Sequence, residues 1–211
     1  HRGVLFLDEL PEFRRDFLEA LRQPLENGVA TISRVRGTLT FPSRFLLVAA
    51  MNPCPCGYYG DQEKACSCAP YDVIRYQKKI SGPLLDRIDI QIGVPRVALK
   101  DLKSAPGSGS KKARLQVESA RKKQAARLAG RGVLTNSEMG AKDVEELVSL
   151  APDAEQLMES LFAKSLLSAR GYHRVLKLAQ TIADIEESAR VEKSHLLEAF
   201  NYRLRDETTA R

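Results

Sequence analysis

The chain has 211 residues, 43% of them apolar, and a net charge of +6, which excludes a disordered polyelectrolyte and permits a polyanionic partner without requiring one. No apolar run is long enough to span a bilayer and no secretory leader is present, so a soluble, cytoplasmic protein is expected, with no membrane partner. Four cysteines crowd into one short segment, Cys54 to Cys68, a clustering that favours metal or redox roles over structural disulfides in a reducing compartment.

Gly3-Val4-Leu5-Phe6-Leu7 runs straight into Asp8-Glu9. A short apolar run bounded by charge predicts a strand buried on both faces, as in parallel sheets. Its carboxyl end is where open α/β sheets place ligands. Two adjacent acids there suit a divalent cation: Asp8 to hold Mg²⁺, usually through water, and Glu9 to orient an attacking water. The same residues also fit an ordinary solvated acidic turn. A helix is expected from about Glu12 to Leu21, with Phe13, Phe17, Leu18 and Leu21 as its apolar stripe and Pro24 and Asn27-Gly28 at its end. Val29–Val35 and Thr38–Phe41 flank Arg36-Gly37 and predict a hairpin. Arg34 and Arg36 at its tip read either as solubilising charges on an edge or as a basic finger aimed at a polyanion.

Phe45–Met51 predicts a second buried strand, ending in Asn52-Pro53. Set parallel to the acid-tipped strand, it puts Asn52 beside the acids, where an amide can hydrogen-bond a water or a phosphate oxygen. Cys54-Pro55-Cys56-Gly57 and Cys66-Ser67-Cys68 are two C-x-C pairs that could close around one structural Zn²⁺, or stay free thiols in a reduced loop. A basic-faced helix (Arg75, Lys78, Lys79) is expected over Pro70–Ile80, and within Ser81–Ile92 a turn and short helix are expected to lead into a third strand. Arg87 stands between Asp86 and Asp89, where a local ion pair is the plain reading.

Residues 104–110 form a Gly/Ser/Pro linker between a first domain (1–103) and a second (111–211). The second predicts helices throughout: a strongly basic one over Lys111–Ala129, then Lys142–Leu150, Pro152–Leu167 with Leu157, Met158, Leu161 and Phe162 inward, a helix capped by Ser168 and running to about Glu186, and a last one capped by Ser194. Arg170 and Arg174 sit in the opening turns of the Ser168 helix, against its dipole, which suggests an anion nearby. His173 and His195 read as ordinary helix residues. The fold class is therefore α/β followed by all-α.

A phosphate-binding loop, G-x-x-x-x-G-K-[ST], occurs nowhere in the chain, and the first residues already lie in a strand. A piece of a longer protein, lacking its upstream half, is expected.

Taken together, Val4–Glu9, the hairpin, Ala49-Ala50-Met51-Asn52-Pro53, Gly82-Pro83-Leu84-Leu85-Asp86-Arg87-Ile88-Asp89 and Ser168-Ala169-Arg170-Gly171-Tyr172-His173-Arg174 resemble AAA+ ATPases of the magnesium-chelatase-like group, in its competence-associated ComM (YifB) form. The resemblance covers nearly the whole chain, and the order of the motifs with C-P-C-G-Y-Y-G makes it specific. It implies a partial AAA+ core with the Walker B, sensor 1 and last strands, followed by a helical lid. Asp8 would hold Mg²⁺, Glu9 would activate water, Asn52 would be sensor 1, and Arg87 the finger acting on a neighbour's ATP. Arg170, or failing it Arg174, would be sensor 2, and Arg34 and Arg36 would touch a nucleic-acid backbone. It further implies a hexameric ring on DNA, working as a translocase or branch-migration helicase. A metal-chelatase motor subunit and a non-catalytic nucleic-acid-binding module are the alternatives. In this family the strand that precedes the phosphate loop lies between the sensor 1 strand and the last strand. The chain alone would thus have a gap in its sheet, closed by rearrangement or by another molecule, and no ATP hydrolysis of its own.

Overall fold

The computed structural model describes residues 1–35, 37–95, 109–164 and 167–203. Arg36 and linker positions 104–108 lie outside the described residues. Two compact units emerge: His1–Ile88 with residues 94–95, and Asp89–Gly93 with the helices from Gly109 onward.

In the first unit, β1 (Gly3–Leu7) pairs in parallel with β4 (Phe45–Ala49), in the register Gly3↔Phe45 to Leu7↔Ala49. Two bonds carry the pairing past both strand ends: Ala50 N donates to Leu7 O at 2.9 Å, and Leu10 N to Ala50 O at 2.9 Å. Leu5, Leu7, Phe45 and Leu47 face a core of Leu10, Leu18, Leu21, Ile80 and Leu84. Each such side chain, fully buried, contributes roughly 1.5–3 kcal/mol. The opposite face is bare, with Val4 67%, Phe6 59%, Leu46 62% and Val48 41% exposed. Burial on both faces, expected from the apolar runs, is met on one only. The helices of the unit pack on that side, and among the described residues no element covers the other.

The expected first helix is divided. Pro11 sits in a 3₁₀ turn, Leu10–Glu12, and Phe13 and Arg14 are extended before α1 (Arg15–Ala20). α2 (Arg22–Asn27) follows at once, with Pro24 in its first turn, where a missing N–H costs nothing. Phe13 is therefore off the helix and stacks on Phe17 at 5.3 Å, both partly exposed, while Leu18 and Leu21 are buried. α2 stops at Gly28, whose φ of 68° closes a bond from its own N–H to Pro24 O; a Cβ there would meet Arg44 Cγ at 2.7 Å.

The hairpin forms as expected, β2 (Val29–Arg34) antiparallel to β3 (Gly37–Pro42), with Arg34 opposite Gly37 at the tip. Its outer part lies in solvent on both faces, and Val35 is fully exposed. α3 (Pro70–Gln77) and α4 (Gly82–Leu85) complete the unit; Ser81 Oγ caps α4 by accepting from Leu84 N. The third strand does not form. Asp89–Ile92 lacks a ladder partner among the described residues, Gln91 N donates instead to Tyr202 O, and Ile90 and Ile92 are exposed. A strand is stabilised by a neighbour, and sequence pattern alone does not supply one.

The second unit is helical: α5 (Gly109–Arg127), α6 (Ala141–Leu147), α7 (Pro152–Ala163), α8 (Ala169–Ile185) and α9 (Lys193–Asn201). α8 is the central element, burying Val175, Leu176, Ala179, Ile182 and Ala183 against Met158, Leu161, Val191 and Leu196. Phe162, expected inward, is half exposed and meets Tyr172 edge-on at 6.1 Å. Ser168 caps α8 through Gly171 N, as expected. The last helix is capped by Glu192, not Ser194. His195 Nδ1 reaches back to accept from Glu192 N at 2.9 Å, while its Nε2 lies 3.0 Å from Glu186 Oε2, which accounts for this buried histidine without a ligand.

A buried polar strap joins α5 to α8. Arg127 grips Asp184 with both nitrogens; Asn136 accepts from Arg127 at 3.0 Å and donates to Asp184 at 2.9 Å; Gln180 donates to Asp184 at 3.2 Å. Asp184 and Asn136 are each 1% exposed.

Candidate active site

The parallel register delivers the ends of β1 and β4 side by side. Asp8-Glu9 and Met51-Asn52 therefore leave the sheet at the same edge, pinned by the two bonds through Ala50. Glu9 turns sharply, with φ 51° and ψ 47°, a left-handed conformation rare for a residue with a side chain. The turn starts the Leu10–Glu12 3₁₀ helix, and Asp8 Oδ1 accepts from Glu9 N at 2.9 Å.

A cleft of about 490 Å³ opens at this edge, with Glu9 and Asn52 on its wall together with Pro55 and the inner face of α3. Asp8 is exposed beside the cleft and is not part of its lining. Two cations line it, one on α3 and one just past its end. Arg75 is held by Asp72 at 3.0 Å, and Lys79 by Glu12 at 3.1 Å. The Glu9 carboxylate has no cation partner among the described residues, which leaves it available to a water or a metal-bound ligand. Tyr76 lies buried under the cleft, its hydroxyl pushed above its ordinary pKa by burial and then by the charges of Glu12 and Glu9. The basic face expected over Pro70–Ile80 gives no sign locally of the acids it meets. Only the fold brings Lys79 to Glu12, 67 positions away.

Arg87 follows α4 in the first unit. Its Nη1 donates to Pro83 O at 2.6 Å and its Nε lies 2.7 Å from Glu26 Oε2, with 13% of the side chain exposed. The expected pairing with a flanking acid is replaced by one with Glu26 of α2, a partner no local spacing signals. In the second unit, the anion anticipated for α8 is a carboxylate of the protein itself. Arg174 donates to Asp89 Oδ1 at 3.0 Å, and Arg203 lies 3.6 Å from the same oxygen. The Arg170 side chain is exposed, with no hydrogen bond or ion pair among the described residues. Arg34 is exposed at the hairpin tip.

The four cysteines converge. Cys54 and Cys56 sulfurs lie 3.4 Å apart, Cys54 and Cys66 3.7 Å, Cys56 and Cys66 3.5 Å, and all four fall within 4.8 Å of one another. None is in a disulfide. Backbone N–H groups of Tyr58 and then Ser67 pull the Cys56 thiol down to about 5, while burial pushes Cys68 up to about 12. The cluster could hold a metal ion.

Two family descriptions match the chain: "Magnesium chelatase, subunit ChlI" over residues 1–102, and "Magnesium chelatase, subunit ChlI C-terminal" over residues 107–203. It is similar to the uncharacterized protein YifB of Escherichia coli (strain K12), 39% identical over 208 residues, covering 98% of this chain and 40% of that protein. It is also similar to Competence protein ComM of Haemophilus influenzae, 41% identical over 201 residues, covering 95% of this chain and 39% of that protein. An uncharacterized protein of Mycobacterium bovis is 38% identical over 185 residues, 88% of this chain and 36% of that protein. The chain thus spans about two fifths of the length of the curated relatives it matches. Among the described residues no helix is long and apolar enough to cross a membrane.

Proposed function

Because this chain belongs to the magnesium-chelatase-like family, in its ComM/YifB form, we propose that it carries half of the ATP-hydrolysing site of an AAA+ motor that works on DNA. The single observation that carries the reading is the parallel β1–β4 pair, which delivers Glu9 and Asn52 to the wall of one cleft, with Asp8 exposed beside it. Exposed carboxylate oxygens are the ligand type Mg²⁺ prefers, with water completing its shell. When bound, Mg²⁺ neutralises charge on the phosphates of ATP. Asp8 holds the ion. Glu9, without a cation partner and fixed by its left-handed backbone, orients and deprotonates the attacking water. Asn52 donates its amide to the water or to a γ-phosphate oxygen. Arg87 supplies positive charge to the nucleotide of a neighbouring subunit, and Arg170, with Arg174 as second choice, does so from the helical domain (111–211), joined by residues 104–110 to the core (1–103). Arg34 and Arg36 contact the DNA backbone in the pore of a cytoplasmic, hexameric ring.

The name of the Haemophilus relative supports DNA work over metal insertion. The family descriptions keep a chelatase motor subunit as the second reading. The test is Mg²⁺-dependent ATP turnover by the whole protein, with and without DNA. Glu9→Gln is expected to lower kcat by at least ~10²-fold, the range of a lost general base, while ATP binding persists. Unchanged turnover in that variant refutes the assignment, and turnover indifferent to DNA favours the chelatase reading.

A further inference from the structure

We propose that Cys54, Cys56, Cys66 and Cys68 form a structural Zn²⁺ site that clamps the Asn52 wall of the cleft. A tetrahedral ion with Zn–S bonds of ~2.3 Å sets its sulfurs about 3.8 Å apart. The separations of 3.4, 3.5 and 3.7 Å among Cys54, Cys56 and Cys66 make one face of such a tetrahedron, and the Cys68 sulfur lies within 4.8 Å of all three. The spacing accommodates a single ion, since the cysteines of an iron–sulfur cluster are spread over separate irons. Four sulfurs leave no open position, so the ion takes no part in chemistry.

The loop between the pairs is built to return. Gly57 and Gly60 take φ of 82° and 81°, Gly57 N donates to Cys54 O at 3.0 Å, and Asp61 Oδ1 accepts from Glu63 N and Lys64 N at 2.8 and 2.9 Å. Lys64 then lies 4.0 Å over the Tyr58 ring. Cys54 follows Asn52 by two residues and is fully buried. Pro53 O accepts from Gln77 Nε2 at 3.0 Å, and Pro55, between two ligands, lines the cleft. The ion therefore ties the segment bearing Asn52 to α3, the element carrying Arg75 and leading to Lys79. The metal assignment stands without the ATPase reading; only the consequence for Asn52 rests on it.

The test is metal analysis of the whole protein purified without added zinc, followed by hydrogen exchange before and after a mercurial thiol reagent displaces the ion. The expected result is one zinc per chain, retained through dialysis and lost in Cys66→Ser/Cys68→Ser. Amides of residues 52–57 should then exchange at least ~10-fold faster, with residues 169–185 unchanged. The wild-type measurement stands even where the variant fails to fold. Substoichiometric zinc with four titratable thiols overturns the site. Stoichiometric iron overturns its identity, and equal loosening of both segments overturns the local clamp.

Discussion

Asp184 accepts from Arg127, Asn136 and Gln180 at 1% exposure, and each of these donors was placed there by a different stretch of chain. Removing the acceptor leaves a largely buried guanidinium without its counter-charge. Asp184→Ala is expected to destabilise the helical unit by about 3–5 kcal/mol, read by urea denaturation. Glu146 is the opposite case. It is exposed at the surface, and a hydrogen bond from Arg131 at 2.7 Å holds its carboxyl below its ordinary pKa. A depressed acid adds stability that is complete above its unfolded value of 4.5 and is lost as pH falls through its folded value. Glu146→Gln is therefore expected to melt slightly below wild type at pH 7, with the difference gone once pH lies below the folded pKa, checked by thermal melts at both. The interaction is solvent-screened, so the gap is small.

The hairpin and the helices obey different logics at the scale of elements. β2 and β3 pair through their backbones and through Thr31–Thr40 and Ser33–Thr38 hydroxyl contacts, with little core beneath them. Such an element contributes little to global stability and is free to carry surface function. Arg34→Ala is expected to leave the melting temperature unchanged and to reduce the salt dependence of DNA binding by the whole protein by about one unit of slope, measured by titration at several salt concentrations. An unaltered slope removes Arg34 from the DNA contact. α8, by contrast, was legible as soon as its stripe was read, because Val175, Leu176, Ala179 and Ile182 repeat at helical spacing and Ser168 stands at its start. The break before α1 was not, because Phe13, Phe17, Leu18 and Leu21 satisfy the same spacing while the extended Phe13 and Arg14 part Phe13 from the other three.

For the whole molecule, the proposed nucleotide site would draw on groups outside this chain, consistent with the uncovered face of the β1–β4 pair and with a chain that spans about two fifths of its relatives. The 211-residue chain alone is expected to show no ATP turnover above its own Glu9→Gln variant. In the whole protein, Arg87→Ala is expected to abolish turnover, and mixing with Glu9→Gln subunits to restore part of it, since an arginine acting in trans and a glutamate acting in cis then meet at one interface. No recovery on mixing puts Arg87 within its own subunit, where its contact with Glu26 already holds it.

Sequence by itself determined the strand that ends in two acids, the hairpin, the paired cysteines and the helical second half. Each rests on a period, a turn residue or a short spacing, all of them local. Tertiary structure alone decided which side of the sheet is covered, that Asp89–Ile92 stays out of a ladder, that Lys79 meets Glu12, that Arg87 meets Glu26 and that Arg174 meets Asp89. These are contacts between residues far apart in the chain. A charge finds its partner through the packing of whole elements, and a strand through its neighbour, so neither is written in the residues beside it.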